Sequence, residues 1–178
     1  MKYSIEVFKR QYIVLIDFIY HYISYKELFN NIDVLQGSNE FWKNSTNAHI
    51  KVSIASWCMI FGSEGMNPTH WKKMIIEDKS NTYKEFRNLI LKECNFIDNE
   101  WDIYWKQVVD YRNLFIVHRD LVFNEPTPNF DISFKIAITY DLWIREKIYP
   151  DYLDFPTLYE MSKKYKSDIA QTLSLLLK

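Results

Sequence analysis

Residues 111–120 read Tyr-Arg-Asn-Leu-Phe-Ile-Val-His-Arg-Asp, and they gather the groups best suited to chemistry. Arg112 falls on one helical stripe with Trp101, Trp105, Val108 and Phe115, where an apolar residue would cost least. Burying an unpaired guanidinium costs several kcal/mol, so Arg112 needs an anion in its own chain, in a second subunit or in a ligand. His118 follows six residues later, and imidazole is the side chain whose ordinary pKa suits proton transfer near neutrality. Asn113 adds a neutral hydrogen-bonding group, and Asp120 an acid able to orient the ring. An arginine and a histidine suffice to cleave a phosphodiester through its neighbouring 2′-hydroxyl. The guanidinium steadies the charged phosphorane while the imidazole moves a proton.

Other chemistries lack their residues. No GxxxxGK[ST] or GxGxxG loop is present to cradle a nucleotide, and neither HExxH nor Glu-x-x-His occurs. His21, His49, His70 and His118 are scattered without metal-ligand spacing, so neither metal nor cofactor is expected. Cys58 and Cys94 stand alone and read as core thiols of a reducing compartment. The 22 Lys and Arg against 23 Asp and Glu give a net charge of −1, which excludes a broad basic face for coating duplexes. Any nucleic-acid contact must therefore be local.

These groups need a scaffold, and 178 residues fit one domain, 1–178. Only 3 Gly and 5 Pro leave few tight turns, which disfavours all-β and Rossmann-like folds. Ile5, Phe8, Tyr12, Leu15, Ile19 and Tyr22 recur at three- and four-residue steps, predicting a helix over about 4–29. Further helices are predicted from about Asn47 to Phe61, over 82–92, from Asp98 as N-cap through Phe115, from Asp131 as cap to Pro150, and from Pro156 past Leu173. A short helical turn is expected at Trp71–Ile76, after an exposed loop containing Gly62, Gly65 and Pro68. The expected architecture is an all-α up-and-down bundle of about five or six helices. The most apolar run, Tyr12–Ile23, contains Asp17 and His21 and is too short to cross a bilayer. No signal peptide is apparent, since Lys9 and Arg10 interrupt it, so a cytoplasmic protein without membrane contact is expected.

Arg112-Asn113, four residues and His118 resemble the signature of the HEPN (higher eukaryotes and prokaryotes nucleotide-binding) superfamily. The order of its surroundings is similar to the HEPN-like branch linked to abortive phage infection. That order is Phe61-Gly62-Ser63, His70-Trp71-Lys72, Phe86-Arg87, Trp101, Tyr104-Trp105, Tyr111-Arg112-Asn113 and His118-Arg119-Asp120. The resemblance spans roughly residues 55 to 145. It implies a metal-independent endoribonuclease acting as a growth-arrest toxin, with His118 as general acid/base, Arg112 on the phosphate, and Asn113 and Asp120 in support. It also implies a homodimer with a composite RNA site at the interface, and raises a cognate antitoxin as a partner. Within one uninterrupted helix, residues six apart point about 120° apart and sit about 9 Å apart along the axis, which favours pairing across two subunits. Asp120 stands where related toxins carry the tyrosine whose modification silences them, so that control is not expected.

Plainer roles stand beside these. Arg112 has the alternative of an intramolecular ion pair, and His118 that of a hydrogen-bonded residue at a helix end. His70 is a candidate additional site residue, although capping or anchoring the loop before Trp71 suits it better. The six Trp read mostly as core, and Lys163, Lys164 and Lys166 as a solvated helix face. Bulky Leu114 and Val117, with the neutral net charge, favour an alternative function: a non-catalytic HEPN-like bundle that dimerises, scaffolds a partner, or binds RNA or a nucleotide without cutting.

Overall fold

The computed structural model describes residues 2–118, 126–149, 151 and 155–177. Among them the chain forms six α-helices, one 3₁₀ turn and one π-helical segment, an all-α bundle without a β-strand. Two isolated bridges, Tyr3 with Ile75 and Leu35 with Leu177, are the only extended pairings among these residues.

Helix α1 runs Ile5–Asn31, opened by Ser4, whose side chain accepts from the Val7 N–H. Its expected stripe is buried: Phe8, Tyr12, Leu15, Ile19 and Tyr22 all face the core. Helix α2, Asn39–Phe61, packs along α1 and begins eight residues before the predicted start. Ser38 caps it by accepting from the Phe41 N–H, while its first two turns are almost wholly exposed and carry no apolar stripe to betray them.

The chain then passes through Gly62–His70 to a 3₁₀ turn, Trp71–Met74, and to α3, Lys79–Cys94. Gly62 is enclosed at the end of α2, where a Cβ would lie 2.5 Å from the Cys58 carbonyl oxygen. Helix α4 covers Glu100–Asp110, and the π-helical segment follows at once over Tyr111–Val117. The expected N-cap Asp98 does not cap α4. Asn99 takes that position without a side-chain bond, and the Asp98 carbonyl accepts from Arg87 instead. Helix α5, Phe130–Ile148, is capped by Asn129 rather than Asp131, whose carboxylate is drawn to Tyr22 and Lys26 of α1. Helix α6, Leu158–Ser174, starts with a capping box between Thr157 and Glu160 and returns to pack on α1.

The core is aromatic, with Phe8, Phe18, Trp57, Phe61, Phe86 and Tyr140 fully enclosed. Two buried polar side chains lock it. Gln11 donates to the His70 carbonyl at 3.0 Å and accepts from the Tyr140 hydroxyl at 2.7 Å, joining α1, the loop and α5. Asp141 is 0 % exposed and accepts from Arg145 and from the Leu158 N–H, both at 2.8 Å, tying α5 to the start of α6. Trp57, Trp71 and Trp143 are core, but Trp42, Trp101 and Trp105 are half-buried, as is Cys94. Among the described residues no helix is long and apolar enough to cross a membrane, and no group of three or more His, Cys, Asp or Glu could hold a metal ion.

Candidate functional site

The Arg112–His118 stretch is where the helix changes its winding. Up to Asp110 the backbone is α-helical; from Tyr111 to Val117 its hydrogen bonds reach one residue further. The last of them runs from the His118 N–H to the Asn113 carbonyl at 3.0 Å, setting His118 over Asn113. Tyr111 anchors the wide turn by packing its ring against Phe115 and Phe130, with centroids 4.8 and 5.9 Å away. Such turns cost hydrogen-bond quality and are found often at functional sites. The run Leu114-Phe115-Ile116-Val117 contributes, because β-branched and aromatic side chains crowd the preceding turn of an α-helix.

Arg112 is half-buried, and its Nε is enclosed without any hydrogen-bond partner. Among the described residues no carboxylate pairs with it, so the ion-pair reading finds no counterpart there. Asp110, two residues earlier, is engaged by Lys106. The guanidinium instead reaches the Cys58 thiol on α2. Burial pushes that thiol up to about 11, and the arginine charge pulls it the other way. His118 is exposed at the end of the π segment, and no hydrogen bond joins it to Arg112. Asn113 is half-buried beside them, and Asp120 lies outside the described residues. The apolar run between Arg112 and His118 is partly open, with Phe115 at 39 % and Val117 at 57 % exposure.

His70 is not with them. It is 3 % exposed, its Nε2 bonded to the Gly62 carbonyl and its Nδ1 accepting from the Lys72 N–H. It caps the 3₁₀ turn and closes the Gly62–His70 loop, the anchoring role that suited it best in the sequence. Burial pushes its pKa down to about 4, so the ring is neutral near pH 7.

His70 also borders a cavity of about 390 Å³. Its walls are aromatic, formed by Trp71, Tyr83, Phe86, Trp101 and Trp105. Lys72, Lys84 and Arg87 bring positive charge to it, Glu64 and Asp102 negative. Arg87 of α3 grips Asp102 of α4 with two bonds of 2.9 and 2.6 Å, and donates to the Asp98 carbonyl at 3.1 Å. Lys72 sits 5.2 Å from the Tyr83 ring centroid and 3.4 Å from Glu64. Trp105 fixes its indole by donating to the Phe61 carbonyl at 2.7 Å. Sequence spacing alone assigned these residues no role. Their only signal was the ordered set Phe61-Gly62, His70-Trp71-Lys72, Phe86-Arg87, Trp101 and Trp105, all of which meet at this cavity.

Comparison of the chain with family models, with curated proteins and with solved structures finds no match.

Proposed function

We propose that this chain is a metal-independent endoribonuclease of the HEPN kind, a growth-arrest toxin of phage defence working in the cytoplasm as a homodimer. The observation that carries the reading is the Arg112 guanidinium, half-enclosed with an unpartnered Nε in a π-helical turn that ends at an exposed His118. A phosphate supplies the anion that no described residue does. In the reaction the substrate 2′-oxygen attacks phosphorus, and the bond from phosphorus to the 5′-oxygen breaks. His118 takes the 2′-hydroxyl proton as general base and, as general acid, gives it to the departing 5′-oxygen, while Arg112 holds the phosphorane charge. The products are a 2′,3′-cyclic phosphate end and a 5′-hydroxyl end. Arg112 is half-buried and His118 exposed, with no hydrogen bond between them, so a second copy completes the site. The exposed Phe115 and Val117 between them offer the contact.

The same exposed apolar run favours a second reading, a non-catalytic HEPN-like bundle whose π segment docks a partner, such as a second copy or a cognate antitoxin. Labelled mixed RNA incubated with purified protein in EDTA separates the two. Cleavage that persists in EDTA and vanishes in both His118→Ala and Arg112→Ala supports the ribonuclease. A folded dimer that never cuts, and whose expression does not slow growth, supports the scaffold.

A further inference from the structure

The cavity between α3, α4 and the Gly62–Trp71 segment is not part of the Arg112–His118 segment, and its lining describes a ligand. Its aromatic rings form flat apolar walls, and side chains of Trp and Tyr stack on nucleobases of any sequence because every base has a π-face. Its volume, about 390 Å³, falls in the range of about 300–1,000 Å³ usual for small-ligand pockets. The charged lining carries one positive charge in excess, with Lys72, Lys84 and Arg87 against Glu64 and Asp102, while His70 is neutral.

Arg87 is the group that turns the excess into a recognition element. Asp102 and the Asp98 carbonyl take three of its N–H groups and fix its plane, leaving two of the five a guanidinium offers. A guanidinium held from behind by a carboxylate is the preorganised form in which arginine binds phosphate. Lys84 is exposed on the same rim and forms no ion pair among the described residues.

We propose that this cavity binds one nucleotide, its base stacked among Trp71, Tyr83 and Trp101 and its phosphate held by Arg87 and Lys84. The ligand comes either as a free nucleoside monophosphate or as one nucleotide of a strand. In the second case the cavity is a base pocket for the proposed ribonuclease, and only that extension rests on the ribonuclease reading. Trp105 stands on α4 seven residues before Arg112, which follows in the π-helical segment, about 10 Å away at the α-helical rise, so a strand seated in the cavity passes near Arg112.

The test is binding, without cleavage. Tryptophan emission of the full chain is followed while AMP, CMP, GMP or UMP is added, beside inorganic phosphate alone and adenosine alone. Saturable quenching by at least one mononucleotide, tenfold or more tighter than by phosphate or adenosine, is expected. Arg87→Met and Lys84→Glu should each weaken it tenfold or more, and Lys163→Glu on α6 should leave it unchanged. Circular dichroism checks that each variant is folded, and Lys84→Glu, which breaks no ion pair, keeps the test valid if Arg87→Met is unstable. No saturable quenching at millimolar mononucleotide, or quenching equal in Lys84→Glu and wild type, overturns the proposal. A 2′-deoxy tetranucleotide, lacking the attacking hydroxyl, separates the sources. Tighter binding than the mononucleotide supports a strand subsite, and equal binding supports a free nucleotide. Failure to cleave RNA while nucleotide still binds would count against the ribonuclease alone.

Discussion

Arg112→Met separates a guanidinium kept for a ligand from one that holds the fold. The Arg112 Nε is enclosed with no acceptor, and no carboxylate among the described residues balances the charge. A buried donor left unsatisfied costs about 1–3 kcal/mol. Methionine keeps most of the aliphatic stem that packs against α2 and removes the polar head. The change should therefore stabilise the isolated protein by about 1–2 kcal/mol, after allowing for the weak contact with the Cys58 thiol. For a domain of this size each kcal/mol moves Tm by roughly 2–4 °C, so a rise of about 2–8 °C is expected by scanning calorimetry. RNA cleavage should fall by about 10²–10³, the usual loss when a preorganised charge-stabilising donor is removed. A stabler, inactive variant has given up an interaction made only with ligand. A fall in Tm of several degrees would refute the reasoning, because it would show the guanidinium already satisfied by the protein.

His118→Ala should leave urea-unfolding stability within about 0.5 kcal/mol, since the ring is exposed, while lowering cleavage by about 10²–10⁴. Stability should also fall with acid through His70, whose pKa is pushed by burial from 6.5 down to about 4. Above pH 6.5 the ring is neutral in both states and its contribution is complete. Between pH 6.5 and 4 the unfolded chain takes up a proton that the fold refuses, costing about 3 kcal/mol. Urea midpoints of wild type and His70→Gln across that window should converge if this is right, and run parallel if it is not. Asp141→Ala should cost about 3 kcal/mol in urea unfolding, because it leaves the buried Leu158 N–H without its acceptor and strips a buried partner from Arg145; a cost under about 1 kcal/mol would show that the α5–α6 tie is dispensable.

The fold was legible wherever a helix has one buried face. The α1 stripe from Phe8 to Tyr22 follows directly from apolar spacing. The first turns of α2 were not, because Ser38 starts them by capping while Phe41 and its neighbours stay in water. The caps of α4 and α5 were misjudged for a related reason. Asp98 and Asp131 have the right side chain for an N-cap, but Asp131 is captured by Tyr22 and Lys26 across the bundle, a contact that local sequence does not reveal. The Arg112–His118 segment stood out through an arginine on an apolar stripe, yet the π winding that breaks the stripe at Phe115 did not. The cavity was visible only as separate short matches, since its walls come from three places in the chain that folding brings together.

Three costly features coincide within residues 111–118. The π winding weakens backbone hydrogen bonds, the Arg112 Nε is enclosed without an acceptor, and Phe115 and Val117 are exposed apolar surface. Elsewhere this chain satisfies such groups readily: Arg87 has Asp102, Arg145 has Asp141, and the acid nearest to Arg112 in sequence, Asp110, is held by Lys106. A leucine at position 112 would relieve the burial cost at no loss to the core around Val108. Sequences that obey local rules throughout and break several of them together do so where something other than stability is being served. The excess cost lies on the one segment that pairs a cation with an exposed imidazole, and an anionic ligand together with a second copy of the chain would relieve all of it except the winding.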